Sequence, residues 1–351
     1  GIGTGDGAPD ADGTALLAYR AQEKALRCRE SFPRGEPRCD LDGVGREARA
    51  IAVDPQGRLV AVAMGGLKPR LEMYDIAGGL SLIWTALFPV QKGGTLAVAF
   101  STDGRWVVAL TGDGRLHRFD AASGGLHLVI PSRGRAARAL ANGRSIAVAG
   151  EGGEVTLWNL ADGTIAWRLP ARDLRGPVDK LGASGDGARF ATLEYDADKT
   201  LVRVWDAGNR ALVAQIVVDP YEVADIALDE KGERVFISHE KDGLFVAEIA
   251  GAGGPSSFLP TRRFGAEAGA RCKSGLQWLA ASKSVGCAVQ GGVVEISEDG
   301  KLERELGVGG AEAADLIVGT ALDGESTAAV GGGHLLVWID HIPFTLTHLV
   351  T

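Results

Sequence analysis

Residues 95–120 read TLAVAFSTDGRWVVALTGDGRLHRFD. An apolar run, Leu96 to Phe100, leads into Ser101-Thr102-Asp103-Gly104-Arg105, and a second run, Trp106 to Leu110, leads out of it. Glycine after aspartate supplies the positive φ that tight hairpin turns demand, so the stretch reads as two strands joined by a turn. A third strand follows, with Phe119 in an aromatic slot between Arg118 and Asp120. The rest of the chain repeats this unit.

Turn glycines recur at Gly57, Gly104, Gly143, Gly187, Gly232 and Gly324, mostly 39 to 47 residues apart; the last interval of 92 holds two periods, with a degenerate turn near Ser282 to Ser284. Roughly a dozen residues beyond each turn glycine comes a third strand, whose slot holds Tyr74, Phe119, Trp158, Trp205 and Trp338, with Ala247 and Ile296 in the two degenerate repeats. A more polar fourth strand follows, as in residues 163–169, 209–216 and 301–306, and polarity suits an exposed outer edge. Four short strands per period of about 45 residues match the blades of a β-propeller. First strands fall near residues 51, 97, 138, 181, 226, 277 and 316. The expectation is an all-β, seven-bladed β-propeller of four-stranded antiparallel blades, with eight blades as the alternative. Residues 1–13 read as a flexible arm and 14–351 as one propeller domain. Leu16 to Arg20 and Lys24 to Glu30 read as spare strands that close the ring against the C-terminal strands, a place for which Phe344 to Val350 competes.

Composition narrows the function. The chain has 351 residues, 51 glycines, 45% hydrophobic residues and a net charge of -8, which suits a large folded core and argues against a general phosphate-binding surface. No run approaches the roughly 18 to 20 apolar residues of a membrane-spanning helix, so no membrane span is expected. Cys28 with Cys39 and Cys272 with Cys287 form sequence-local couples that suit disulfides, although four cysteines allow three connectivities. Disulfides point to a periplasmic or secreted protein; a cytoplasmic domain of a larger protein is the alternative.

The Trp205-Asp206 dipeptide and the Ser-x-Asp-Gly-Arg type turns resemble the WD-repeat propeller family, over nearly the whole chain from about residue 14. Trp-Asp itself occurs in one repeat, and no Gly-His dipeptide precedes the blades. The resemblance implies a monomeric, non-catalytic scaffold that binds a protein or peptide, not nucleic acid, through one loop-bearing face. That face carries the loops between second and third strands and the connections between blades. Arg172, Arg175, Tyr195, Tyr221, His239, Arg262 and Arg263 fall on these segments, and arginine and tyrosine dominate interface energetics.

Catalytic signatures are sparse. The six histidines are scattered, and Gly3-x-Gly5-x-Gly7 lacks the strand and helix of a phosphate loop. No cofactor is expected. Glu194, Asp196 and Asp198 crowd one loop and form a candidate site for a hard cation. A propeller enzyme, such as a lactonase or metal-assisted hydrolase with its site in the central channel, is one alternative; a sensing or targeting domain of a larger signalling protein is another.

Overall fold

A computed structural model describes residues 26–28, 39–42, 48–66, 68–76, 80–88, 95–101, 103–139, 145–160, 162–196, 199–218, 223–239, 241–249, 258–265, 269, 272, 274–279, 282–289, 292–307, 317–320, 326–331 and 334–339. Two short strands come first, β1 (Leu26–Cys28) and β2 (Cys39–Asp42). Blade 1 is β3 (Ala48–Val53), β4 (Leu59–Met64), β5 (Arg70–Asp75) and β6 (Ser81–Leu87). Blade 2 is β7 (Thr95–Phe100), β8 (Trp106–Thr111), β9 (Leu116–Asp120) and β10 (Leu126–Ile130). Blade 3 is β11 (Gly134–Ala139), β12 (Ser145–Gly150), β13 (Val155–Asn159) and β14 (Ile165–Leu169). Blade 4 is β15 (Val178–Ala183), β16 (Arg189–Asp196), β17 (Lys199–Asp206) and β18 (Leu212–Val218). Blade 5 is β19 (Val223–Leu228), β20 (Arg234–His239), β21 (Gly243–Glu248) and the two-residue β22 (Arg262–Arg263). Blade 6 is β23 (Ser274–Leu279), β24 (Ser284–Val289), β25 (Gly292–Ser297) and β26 (Leu302–Gly307). Last come β27 (Ile317–Thr320), β28 (Ser326–Gly331) and β29 (His334–Ile339).

Six sheets are therefore four-stranded antiparallel blades, each with its strands in sequence order. The expectation of seven such blades, and of eight as its alternative, is corrected to six. The remaining sheet is of another kind: five-stranded, ordered β1-β2-β29-β28-β27, and drawn from both ends of the chain. Counting first strands overlooked this difference, because β27 marks a first strand whose sheet has no fourth strand from its own repeat. The place beside β29 is taken by β2, with Cys39 opposite Val337 and Asp42 opposite His334. The segment that pairs with the C-terminal strands is thus residues 39–42, whereas β1, within Lys24 to Glu30, pairs with β2. Residues 1–13, Leu16 to Arg20 and Phe344 to Val350 lie outside the described residues.

First strands touch their neighbours in order around the molecule, β3 with β7 through to β27 with β3, and so form the inner ring. The apolar core lies between blades. Met73 and Trp84 of blade 1 pack with Phe100 and Phe119 of blade 2. Val202 and Ile216 of blade 4 pack with Ile226 and Ile237 of blade 5. Each sheet thus covers its neighbour's apolar face. Hydrogen bonds also cross between blades, from Trp84 Nε1 to the Ala121 carbonyl at 2.9 Å at the seam of blades 1 and 2, and from Trp167 Nε1 to the Ala207 carbonyl at 2.8 Å at that of blades 3 and 4. A Cys272–Cys287 disulfide, with Cα atoms 5.6 Å apart, pins β24 to the chain entering β23. Cys28 lies directly opposite Cys39 in the β1–β2 ladder.

Alternating strand direction defines two faces. Loops between second and third strands, and the connections between blades, open on the face called upper here; the hairpin turns at Gly57, Gly104, Gly187 and Gly232 lie on the lower face. All four of these glycines have φ between 66° and 70°, as the turn chemistry requires. The residue three before the glycine explains the recurrent Ser or Asp: the Ser184 hydroxyl accepts from Arg189 N–H at 3.0 Å, and the Asp229 carboxylate accepts from Glu233 N–H at 2.7 Å.

One irregularity recurs that sequence periodicity does not show, and another occurs once. The first strand of every four-stranded blade bulges near its upper end, and in five of them one residue is skipped: Arg49, Leu96, Arg135, Asp179 and Ala224. In blade 6 the shift lies between Ser274 and Gln277. In addition, Phe258 forms an isolated parallel bridge with Gln215, and Leu259 N–H bonds the Gln215 carbonyl at 2.8 Å. Phe258 and Leu259, shortly before β22, therefore lie along the outer edge of blade 4.

His117, on β9, is buried in the seam between blades 1 and 2, with the Phe88 ring centroid 5.0 Å away. Burial is the main cause that lowers its pKa from the ordinary 6.5, Asp113 opposing and Arg115 assisting. The folded protein thus prefers the neutral ring. The associated stability is present above the unfolded value and is lost as pH falls through the folded one. Urea midpoints should therefore drop between pH 7 and about 5 by more in the native chain than in His117→Leu. Equal drops in both would contradict this assignment.

Candidate functional site

The connection from blade 3 to blade 4 is anchored from below by a buried charge pair. It begins with a single 3-10 turn, Ala171–Asp173, which Pro170 initiates with its fixed φ. β16 and β17 run on past the core to Asp196 and Lys199, so that Glu194 stands inside the ladder opposite Leu201. Glu194 is fully buried and Arg203 is 3% exposed. Arg203 Nη1 meets Glu194 Oε2 at 3.2 Å, while its Nη2 donates to the Asp173 carbonyl at 2.6 Å. Arg175 N–H donates to Glu194 Oε2 at 2.8 Å, and the Thr192 hydroxyl donates to Glu194 Oε1. Trp205 completes the group: its Nε1 donates to Thr192 Oγ1 at 3.0 Å, and the Arg203 guanidinium lies 4.3 Å over its ring. Burial pushes the Glu194 carboxyl above the usual range, and the donors from Arg175, Thr192 and Arg203 oppose that shift.

The consequence is positional. The C-terminal end of the 3-10 segment and the residue Arg175 beyond it are tied to blade 4, while the side chains of Arg172 and Arg175 are exposed. Tyr195, half-buried beside Glu194, is tied to the same connection, since its N–H faces the Pro177 carbonyl at 3.3 Å. Contact there is intimate: a Cβ on Gly176 would lie 1.8 Å from the Tyr195 carbonyl oxygen. Arg172, Arg175 and Tyr195 therefore share one rigid feature of the upper face.

The other sequence-derived candidates fall around it or outside it. His239 ends β20 in the register that Glu194 has in blade 4, each opposite its first strand's bulge. It is buried, with the Phe245 ring centroid 5.0 Å away, and its Nδ1 has no partner. Arg262 and Arg263 are exposed on β22 and pair with Glu248 at 3.0 Å and Asp242 at 3.8 Å. Tyr221 and Asp198 lie outside the described residues. Of the three carboxylates considered for a cation, Glu194 is directed at Arg203 and Asp196 is half-buried at the hairpin's end. Among the described residues no group of three or more His, Cys, Asp or Glu is disposed to hold a metal ion.

Sequence reasoning missed Arg203, Thr192 and Trp205 as partners of the site. The available signal was a charged residue two places before the aromatic slot of an otherwise apolar third strand. Blade 1 repeats it: Glu72 stands two places before Tyr74, is buried, and accepts from the Tyr74 hydroxyl and from Arg70 Nε at 2.8 Å.

Comparison with known families gives one match. The family described as outer membrane protein assembly factor BamB matches residues 46–245, more than half of the chain, spanning blades 1 to 4 and most of blade 5. The propeller level of the resemblance stands; the WD-repeat assignment itself is not what the match supports. No curated protein matches the chain. Among the described residues no helix is long and apolar enough to cross a membrane.

Proposed function

Because this chain belongs to the family of outer membrane protein assembly factor BamB, we propose that it is a non-catalytic docking scaffold for outer-membrane protein assembly. Its upper face over blades 3 to 5 binds a protein partner. The supporting observation is the anchored connection 170–177, where a buried ion pair holds Arg172 and Arg175 exposed in fixed places. Preorganisation of this kind lowers the ordering cost of association, and arginine supplies both contact area and a bidentate donor. The buried Cys272–Cys287 disulfide and the family's name favour an extracytoplasmic compartment.

The test is site-specific photo-crosslinking in the native cell, with the probe at position 172. One discrete partner should appear, and Arg175→Glu should weaken its capture about 30-fold or more, the size of a 2 kcal/mol hot spot. Crosslinks confined to a probe at exposed Asn209, on the lower face, would reject the proposal.

A further inference from the structure

We infer that the channel mouth above blades 1 to 3 is a receptor for an acidic, extended polypeptide segment, gripped by Arg49, Arg133 and Arg135. The inference deepens the proposed function and rests on it for the use of the upper face, but it concerns different residues.

The recurrent bulge supplies the first half of the argument. A skipped residue has no ladder partner, and its side chain is re-aimed out of the regular alternation. Blades 1 and 3 put arginine there, Arg49 and Arg135, and both are exposed. Blade 2, between them, has Leu96 at the same position, and blade 4 has exposed Asp179, which ends the cationic arc.

Arg133 supplies the second half. Its φ of 52° is the one positive value among described non-glycine residues of the upper face. Such conformations persist where the surroundings over-determine them, and they cluster at ligand sites. Here the Ser132 hydroxyl donates to the Gly114 carbonyl at 2.7 Å, Gly134 N–H donates to the same oxygen at 3.2 Å, and Glu151 N–H donates to the Arg133 carbonyl at 3.1 Å. A Cβ on Gly114 would lie 2.7 Å from Arg133 Cα, so the close approach also requires that glycine. All this holds an exposed arginine in a conformation that glycine would adopt more readily.

None of the three arginines forms an ion pair with a described residue, whereas upper-face Arg70, Arg115 and Arg172 pair with Glu72, Asp113 and Asp173. Three unpaired guanidinium groups on a chain of net charge -8 form a local complement to carboxylates, which match the planar arginine fork. The neighbouring Glu151 and Asp179 disfavour a densely charged polymer. Carboxylates spaced along an extended peptide fit the arc better.

Fluorescence anisotropy on the full chain tests this, with a labelled peptide of alternating Asp and Ser, about ten residues long, against its Asn counterpart. The acidic peptide should bind and the Asn peptide should not. The variant Arg49→Ala/Arg133→Ala/Arg135→Ala should weaken binding about tenfold or more, and raised salt should do likewise. Arg58→Ala, at the exposed lower-face turn of blade 1, should leave it unchanged. Arg133→Gly should raise the melting temperature and lower peptide affinity together, a combination that a merely structural arginine would not produce. Arg49→Ala, remote from the strained segment, covers the case in which the triple variant misfolds. Undiminished binding in these variants would overturn the inference. So would arginine-dependent binding to phosphatidylglycerol vesicles with none to the peptide. Peptide binding that survives Arg175→Glu, combined with failure of the crosslink at position 172, would reject the proposed function and leave this site standing.

Discussion

Glu194→Ala is expected to cost about 3–5 kcal/mol of folding stability, because it leaves Arg203 buried without its counter-charge. The loss extends beyond one ion pair. Glu194 also accepts from Arg175 N–H and the Thr192 hydroxyl, so alanine strands two further donors near the seam between blades 3 and 4. Glu194→Gln also removes the counter-charge, and should cost less only by the acceptor it keeps. An amide oxygen can still accept from Arg175 or Thr192, and the raised carboxyl pKa shows that burying the ionised group is itself unfavourable. Guanidinium denaturation of both variants decides the matter: a Glu194→Ala loss within the roughly 1 kcal/mol typical of an exposed pair would mean that the buried pair does not anchor the connection. Photo-crosslinking from position 172 should fall with Glu194→Ala although that residue never meets the partner.

How far this arrangement can be read without coordinates depends on the scale of the signal. Hairpin glycines are legible because positive φ is a local demand, and Gly104 and Gly187 meet it where Ser101 and Ser184 mark the turn start. Radial packing is legible because five of the third strands carry an aromatic slot residue, Tyr74, Phe119, Trp158, Trp205 and Trp338. Glu194 was misplaced for a definite reason. A run of carboxylates, Glu194 to Asp198, reads as a solvated loop, yet the hairpin continues to Asp196 and Lys199 and carries Glu194 indoors, where an arginine nine residues later receives it. His239 reads as a loop residue on the same grounds and is buried in the same register. The bulges left no trace because each adds a single residue to a strand whose neighbours are small and apolar, as with Arg135 between Gly134 and Ala136. The closing sheet eluded the repeat count because β2 joins it from the far end of the chain, a pairing no local pattern encodes.

Gly176→Ala should disable the same connection from the other side. The new methyl would sit 1.8 Å from the Tyr195 carbonyl oxygen and 2.7 Å from its carbonyl carbon. Both atoms belong to β16 backbone, which the ladder to β17 fixes at Tyr195 opposite Thr200, so the connection must yield. Overpacking of this kind costs about 1–3 kcal/mol. The functional loss should be larger than that figure suggests, because Arg175 is the adjacent residue and its own N–H is the donor to Glu194. Crosslinking from position 172 should therefore fall as far as it does in Arg175→Glu. Gly125→Ala is the control: its nearest contact would be Ser123 Oγ at 3.4 Å, and neither stability nor capture should change appreciably. The decisive form is the double variant. If Glu194 and Gly176 both act by seating residues 170–177, a connection already unseated by one change has little left to lose from the other. The combined stability loss should then fall short of the sum by at least about 0.5–1 kcal/mol. Strict additivity would mean that the ion pair and the glycine contact serve separate purposes, and that the arginines above them are not positioned by either.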